Sequence, residues 1–307
     1  MNWAIETEKL GKRYGEVAAV DSLSLRVGEG EIYAFLGLNG AGKTTTMRML
    51  LGMIKPTQGN ATVLGKHIRL GSREPWAGVG YLVEMPHAYP ELTVIENLEI
   101  ARRLHPGTER KAISQAIDRL GLTAYANRRA GVLSQGNAQR LGLAKALLHK
   151  PRLILLDEPA NGLDPAGIVE IRELLLELTR QEGLTVFMSS HILAEVSRLA
   201  DRIGIIHEGR LLQEMDVAEL ERNRRRRLLV RANDIESARK ALSVAGHNSK
   251  ILPGEVLELN QSSAIDHPGD IASLLVRAGS PPTHLVVEEE ELEVYFLRLV
   301  GSNGDKK

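Results

Sequence analysis

The chain has 307 residues, 43% of them hydrophobic, with Lys+Arg and Asp+Glu equal at 39 each and no cysteine. Zero net charge gives no electrostatic case for binding DNA or RNA, so no nucleic-acid partner is expected. The lack of cysteine excludes disulfides and thiolate metal sites. No stretch approaches the roughly 18 consecutive apolar residues of a membrane span, and the opening MNWAIETEKL lacks the apolar stretch of a signal peptide. We therefore expect any membrane span to come from another chain.

Short apolar runs alternate with amphipathic helix patterns over residues 1–220, which we predict to form one domain. In chain order, these patterns predict a strand at 31–37, helices at 43–51 and 136–148, a strand at 153–157, a helix at 165–182, and strands at 184–189 and 202–207. Continuous apolar runs bounded by turn residues are typical of buried strands in a largely parallel sheet. The sequence therefore predicts an α/β fold.

The sequence GLNGAGKT at 37–44 follows the first of these strands and opens the first helix. It matches the phosphate-loop pattern GxxxxGK[ST], in which glycines let backbone N–H groups turn toward a phosphate and the helix N-terminus adds its dipole. We expect Lys43 to reach the β- and γ-phosphates of ATP and the Thr44 hydroxyl to bind Mg²⁺. The predicted nucleotide-binding residues of this segment are Gly37, Asn39, Gly40, Ala41, Gly42, Lys43, Thr44 and Thr45. The alternative is a glycine-rich turn without function.

Two carboxylates end the predicted strand LILLD at 153–157 and begin the turn after it. Asp157 would hold Mg²⁺ through water, and Glu158 would polarise or position the attacking water. An acidic turn after an apolar strand is common in proteins without this chemistry. Together with the phosphate loop, it favours an ATPase.

Further segments narrow the class of ATPase. LSQGN at 133–137 is followed by QRLGLAKA at 139–146, NGLD at 161–164 and His191 after a predicted strand. With the phosphate loop and LILLDE, they resemble the ATPase domain of ABC (ATP-binding cassette) transporters over residues 5–220. The family signature is commonly LSGGQ, so Gln135 and Asn137 depart from it. Taken alone, LSQGN could be a serine-capped helix start and His191 a solvent-facing histidine.

The resemblance implies a phosphate-loop core with a helical subdomain over 93–148, and it implies roles for further residues. Ser134 and Gly136 would face the γ-phosphate bound by the opposite subunit, and His191 would contact the γ-phosphate. Tyr14, otherwise a half-buried strand tyrosine, would stack on adenine. The expected partners are a second, head-to-tail ATPase subunit, in a homodimer, and an integral membrane transporter subunit. The expected location is the cytoplasmic face of the cell membrane.

Glu84 departs from the general family pattern. It follows GYLV at 80–83, where the family usually has a glutamine that touches Mg²⁺ and the attacking water. Glutamate here, together with MPHAYPELTVIENL at 85–98, resembles the subset that includes bacitracin-resistance and lantibiotic-immunity exporters. This resemblance would make Glu84 both a metal-binding and a catalytic residue. The alternative is drift at a tolerant position.

The composition changes near residue 220, and we predict a small α+β accessory domain over 221–307. Its predicted strands are 228–231, 256–260 and 284–287, and its predicted helices are 235–246, 269–279 and 291–300. The segment 288–301 resembles the C-terminal element found after many exporter ATPases of the ABC-2 and drug-resistance type. We interpret the arginine run of Arg222 and 224–227 as a solvated linker, with binding of anionic lipid as the alternative.

The sequence thus predicts an ATP-hydrolysing subunit that uses MgATP to drive export of an antimicrobial peptide or drug through a separate membrane subunit. An ABC importer ATPase would share every motif, but the exporter-like tail and Glu84 argue against it. A soluble ABC protein acting on the ribosome typically carries two cassettes, whereas this sequence has one phosphate loop.

Overall fold

The computed structural model describes residues 2–71 and 75–304. The chain divides into two compact units, Met1–Val217 and Ala218–Lys307. The boundary that composition predicts after residue 220 falls inside a helix that spans Val217–Asn223. Each unit has a hydrophobic core of its own, and each is described separately below.

The first unit alternates strands with helices along the chain. Its strands are β1 (Trp3–Tyr14), β2 (Val17–Leu23), β3 (Arg26–Gly28), β4 (Ile32–Leu36), β5 (Gln58–Val63), β6 (Lys66–His67), β7 (Val79–Leu82), β8 (Leu153–Asp157), β9 (Thr185–Ser190), β10 (Arg202–His207) and β11 (Arg210–Asp216). Its helices are α1 (Lys43–Leu50), α2 (Val94–Leu104), α3 (Lys111–Arg119), α4 (Gln135–Leu147), α5 (Pro165–Glu182) and α6 (Leu193–Val196). The predicted α/β fold is confirmed.

The central sheet runs in the order β11-β10-β4-β9-β8-β7. Its strands are parallel except β11, which pairs antiparallel with β10. Every residue of β4 and β8 is buried, which explains their unbroken apolar sequences. Phe187 on β9 packs against Tyr33 and Phe35 on β4, with ring centroids 5.6 Å apart in both pairs. Parallel pairing brings the carboxyl ends of β4, β7, β8 and β9 to one edge of the sheet, where the phosphate loop, Glu84, Asp157, Glu158 and His191 lie.

An antiparallel sheet in the order β2-β1-β5-β6, with β3 paired to β1, completes the strands of this unit. Val63 of this sheet belongs to one core cluster with Phe35 of the central sheet and with Met47 and Leu50 of α1. Helix α1 is thus anchored to residues of both sheets. That packing fixes the first turn of α1, where the phosphate loop ends.

Helices α2, α3 and α4 occupy the predicted helical subdomain. Thr93 caps α2 and forms a reciprocal capping box with Glu96. Helix α4 lies against β7 because of a glycine on the strand: a Cβ at Gly80 would come within 2.1 Å of the Ala146 carbonyl oxygen. Gly142 on α4 also allows close packing, since a Cβ there would come within 2.7 Å of a Leu82 methyl carbon. These two glycines position the helix that carries the predicted signature.

The second unit is a small α+β fold. In chain order it contains α7 (Val217–Asn223), β12 (Arg226–Ala232), α8 (Ile235–Val244), β13 (Lys250–Leu252), β14 (Val256–Leu259), α9 (Ser262–Asp266), α10 (Pro268–Arg277), β15 (Pro282–Glu289) and α11 (Leu292–Gly304). The antiparallel sheet has the order β13-β14-β12-β15. Leu228 and Leu257 of the sheet pack with Leu242 of α8 and Leu275 of α10.

The interpretation of the arginine run as a solvated linker is wrong. Its residues end α7 and begin β12, and Arg224, Arg226 and Arg227 are paired with glutamates of β15. Arg224 Nη1 lies 3.2 Å from Glu289 Oε2, and Arg227 Nη2 lies 2.8 Å from Glu288 Oε2. Cross-strand pairing between oppositely charged side chains explains why a charge-rich segment forms a strand here.

Candidate nucleotide site

The phosphate loop connects the buried end of β4 to the first turn of α1. Gly40 and Gly42 have φ of 80° and 106°, in the region that glycine tolerates best. There is also a steric requirement for glycine at position 42, because a Cβ there would lie 2.4 Å from the Ala19 carbonyl oxygen. Gly42 is the N-cap of α1 and has no side chain to accept from the first N–H groups of the helix. Those groups can therefore bind an anion.

The other predicted residues of the loop surround this turn. Gly37 is buried, and its N–H donates to the Ser190 carbonyl oxygen at 3.1 Å. Asn39 is exposed at the tip, whereas Ala41 is buried. Thr45 is half-buried in the first turn of α1.

Lys43 places a buried cation against the loop. Its side chain is 6% exposed, and its Nζ donates to the Gly37 and Leu38 carbonyl oxygens at 2.6 and 3.3 Å. The same Nζ lies 3.3 Å from Glu158 Oε1. The ammonium group is therefore held by acceptors of the chain itself in this structure.

Asp157 links α1 to two neighbouring strands through its carboxylate. Thr44 Oγ1 donates to Asp157 Oδ2 at 2.7 Å, and Ser189 Oγ donates to Asp157 Oδ1 at 2.5 Å. The Ser189 hydroxyl in turn accepts from the Glu158 N–H at 3.0 Å. Sequence reasoning did not single out Ser189; its signal is its place in β9, directly opposite Asp157 in the parallel register.

Glu158 lies between a cation and an imidazole. Its φ of 50° turns the side chain out of the strand direction, and its Oε2 lies 2.8 Å from His191 Nδ1. The backbone after it is held by Gln139 of α4, whose Nε2 donates to the Pro159 carbonyl oxygen at 3.1 Å. Burial raises the pKa of the nearby Glu195 carboxyl, although the charge of His191 opposes this rise more than the charge of Glu158 adds to it. Hydrogen bonds and ion pairs thus join Lys43, Glu158 and His191 in one cluster.

The signature residues lie at the start of α4, next to the turn before α5. Ser134 is the N-cap, and its hydroxyl accepts from the Asn137 N–H at 3.3 Å. A Cβ at Gly136 would lie 3.2 Å from the Gly162 carbonyl oxygen, in the NGLD turn. Asp164 ends that turn as the N-cap of α5 and accepts from the Gly167 N–H at 2.9 Å.

Tyr14 and Glu84 make their contacts outside the Lys43–Glu158–His191 cluster. Tyr14 is 50% exposed at the end of β1, with Lys12 Nζ 5.1 Å from its ring centroid. Glu84 follows β7 with a φ of 66°, and its carboxylate is ion-paired with Arg48 of α1.

The site is that of a phosphate-loop ATPase. A glycine turn, a buried lysine, a hydroxyl–carboxylate pair and a partly exposed glutamate–histidine pair lie at the carboxyl edge of a parallel sheet. Comparison with known proteins gives the family. The family model described as ABC transporter matches residues 20–161.

Two relatives match nearly the whole chain. The bacitracin transport ATP-binding protein BcrA of Bacillus licheniformis is 40% identical over 98% of this chain and 98% of its own length. The protein of the same name from Enterococcus faecalis is 38% identical over 99% and 98%. The lantibiotic transport ATP-binding protein SrtF of Streptococcus pyogenes is 36% identical over 69% of this chain and 90% of its own.

Solved structures agree on the fold. A dimeric ATP-binding cassette in a post-hydrolysis state, bound to ADP and Pi, has a TM-score of 0.64 at 25% identity, covering 69% of this chain and 98% of its own. The ATP-binding subunit of an ABC transporter has a TM-score of 0.66 at 28% identity, covering 71% and 92%. The chain therefore belongs to the ATP-binding proteins of ABC transporters, and it is an ATP-hydrolysing subunit. The predicted family resemblance is confirmed.

Proposed function

We propose that this subunit drives export of a peptide antibiotic of the bacitracin or lantibiotic class through a separate membrane subunit. The observation that carries this proposal is similarity to proteins named for bacitracin transport across both units of the chain, including the second unit, which lies outside the matched family model. An importer subunit is not favoured, because a cell benefits from removing an antibiotic.

The phosphate loop binds the triphosphate of ATP in this proposal. The N–H groups of the first turn of α1 and of the glycine turn donate to phosphate oxygens, and the helix dipole favours the negative charge. Lys43 exchanges its carbonyl and Glu158 acceptors for phosphate oxygens. Since the lysine is already buried, its dehydration does not have to accompany binding. Tyr14 is half exposed. Its position in the family's sequence pattern is that of the residue that stacks on the adenine ring, and we assign it that role.

The residues at the end of β8 fit a magnesium ion. Thr44 and Asp157 bring a hydroxyl and a carboxylate oxygen within 2.7 Å of each other, and Mg²⁺ prefers such oxygen ligands. Among the residues that the structure describes, no group of three or more His, Cys, Asp or Glu side chains could hold a metal ion. In proteins, Mg²⁺ usually takes its remaining ligands from phosphates and water. A bound Mg²⁺ would neutralise charge on the β- and γ-phosphate oxygens. Glu84 is the third metal ligand in this proposal.

Glu158 orients the water that attacks the γ-phosphate, and His191 holds Glu158. The hydrogen bond from His191 to one carboxylate oxygen leaves the other to accept from the water once Lys43 has moved to the phosphates. A positioned base of this kind contributes roughly 10²–10⁴ in rate. Catalysis here comes from positioning and charge and needs no covalent intermediate.

We infer that the working form is a head-to-tail homodimer at the cytoplasmic face of the membrane. Ser134 and Gly136 then present the start of α4 to the nucleotide on the opposite subunit, which the dimeric relatives support. Nowhere in residues 2–71 and 75–304 is there a helix with the length and apolar character to cross a bilayer. The membrane subunit is therefore a separate partner in this proposal.

The proposal is tested in cells that carry the chain with its membrane partner. Expression of the native pair should raise resistance to bacitracin or to a lantibiotic, and the Lys43→Ala pair should not, at equal protein levels. If resistance to both antibiotic classes is the same with Lys43→Ala as with the native chain, the proposed substrate class is wrong.

A further inference from the structure

Two glutamates occupy equivalent positions after neighbouring parallel strands. In the β7–β8 register, Leu82 lies opposite Leu156, so Glu84 and Glu158 each come two residues further on. Both have the left-handed backbone that non-glycine residues seldom adopt, with φ of 66° and 50°. The fold therefore turns two carboxylates toward the same helix, α1.

Each of these glutamates is paired with a different cation of α1. Lys43, in the first turn, lies against Glu158, and Arg48, in the last turn, lies against Glu84. Thr44 and Arg48 are four residues apart, which places them on the same face of the helix, about 6 Å apart along its axis. Arg48 thus holds the Glu84 carboxylate about one helical turn beyond the hydroxyl of the proposed metal site.

We propose that Arg48 is a positioning residue that sets the availability of Glu84 to the metal. Arg48 holds the Glu84 carboxylate along α1 when the site is free, and Glu84 must leave Arg48 to reach an ion at Thr44 and Asp157. This inference rests on the proposed role of Glu84 as a metal ligand. It also explains how the chain accommodates a glutamate at 84: before the metal ion binds, the guanidinium compensates a charge that would otherwise repel the γ-phosphate.

The pair is suited to reversible exchange. The two side chains are 38% and 44% exposed, so water replaces the lost contact on both sides. Exposed pairs of this kind change an equilibrium by about twofold to fivefold. Arg48 therefore weakens metal binding by a small factor and does not prevent it.

The test measures metal binding directly, without turnover. Mn²⁺ is titrated by electron paramagnetic resonance into full-length protein saturated with a non-hydrolysable ATP analogue. The variants are Arg48→Ala, Arg48→Lys, Glu84→Gln and the double variant Arg48→Ala/Glu84→Gln. Glu84→Gln keeps the size and the backbone of the native residue and removes only its charge, and thermal melting confirms that each variant is folded.

Arg48→Ala should tighten Mn²⁺ binding about twofold to fivefold in the native background and leave it unchanged when residue 84 is glutamine. Arg48→Lys should lie close to the native value, because the charge is kept. An equal effect in both backgrounds would show a general electrostatic field and overturn the proposal, as would no effect or weaker binding with Arg48→Ala. If the native chain shows no metal-dependent nucleotide binding, that result would instead contradict the proposed function itself.

Discussion

At the scale of single residues, Lys43 of the site is already bonded to oxygens of its own chain. The Lys43 ammonium has three oxygen acceptors within 3.3 Å, one of them charged. A buried cation without acceptors would be costly, so these contacts stabilise the loop when no nucleotide is bound. In the proposed function, phosphate oxygens replace them. The contribution of Lys43 to the free energy of ATP binding is therefore the difference between its contacts with phosphate oxygens and its contacts with these oxygens of the chain.

Replacing Lys43 by alanine should therefore reduce ATP affinity by about 100-fold or more, because charged hydrogen bonds to two phosphates are lost. Fluorescent-nucleotide titration measures this, with Lys55→Ala as the matched control, since Lys55 is exposed. Native-like affinity in a folded Lys43→Ala protein would contradict the assignment of the phosphate loop.

His149 should make the stability of the first unit depend on pH. Its ring stacks on that of His105 with centroids 3.7 Å apart, and its Nε2 lies 3.2 Å from the Val79 carbonyl oxygen. Burial, together with repulsion from His105, lowers the pKa of His149 to about 4. Between about pH 6.5 and pH 4, His149 is therefore protonated in the unfolded chain and neutral in the folded chain.

Stability should accordingly fall by about 1–3 kcal/mol as the pH is lowered through this window, through His149 alone. His149→Phe keeps a flat ring against His105 and should flatten this part of the stability curve, at the cost of the bond to Val79. Urea unfolding at pH 7 and pH 5 provides the comparison, with the exposed His67→Asn as control. Equal pH dependence in His149→Phe and the native chain would exclude His149 as the source.

At the scale of elements, the contact between α4 and β7 places the signature. Gly80 allows it, since any Cβ there would meet the carbonyl oxygen of Ala146, which is backbone and cannot rotate away. Helix α4 also carries Ser134 at its start and Gln139 against the turn after Glu158. A shift of the helix would move both.

Gly80→Ala should cost about 1–3 kcal/mol of stability and lower ATPase activity more than ATP affinity, because the phosphate loop lies on other elements. Gly269→Ala, in the first turn of α10 with open space around its Cβ, should leave stability unchanged or slightly raised. Stability is measured by thermal melting and affinity by nucleotide titration. A fully stable and active Gly80→Ala protein would show that α4 tolerates displacement.

The sequence predicts the elements that bear motifs because their signals are local. An apolar run, a glycine turn and a capping serine each depend on neighbours in the chain, so β8, the phosphate loop and the start of α4 could be placed within a residue or two. The pairing of Arg48 with Glu84 joins residues 36 apart in the chain, and no periodicity records it. The linker interpretation of the arginine run is wrong for the same reason, since its partners in β15 lie about 60 residues further on.

At the scale of the whole molecule, the proposed head-to-tail dimer divides each nucleotide site between two copies of the chain. The phosphate loop, Asp157 and Glu158 are joined by hydrogen bonds and ion pairs, whereas Ser134 and Gly136 contact their own helix and the turn before α5. In the proposed dimer, Ser134 and Gly136 bind a phosphate held by the other copy, which makes ATP part of the dimer interface. Hydrolysis then removes a component of that interface, which is how nucleotide turnover can open and close an assembly.

Glu158→Gln should therefore accumulate as an ATP-bound dimer. Glutamine is the same size as glutamate and can keep the contact with His191, but it lacks the charge that orients and polarises water, so hydrolysis should fall by about 10²–10⁴ while ATP binding persists. Removing that charge also removes repulsion of the γ-phosphate. Size-exclusion chromatography with light scattering, in MgATP, should show a dimer for Glu158→Gln and a monomer for Lys43→Ala/Glu158→Gln, which cannot hold the nucleotide. Glu173→Gln, at an exposed position on α5, should hydrolyse ATP at the native rate and accumulate no dimer. If Glu158→Gln binds ATP with native affinity and yet remains a monomer under every nucleotide condition, ATP does not join two copies of this chain, and Ser134 and Gly136 need another role.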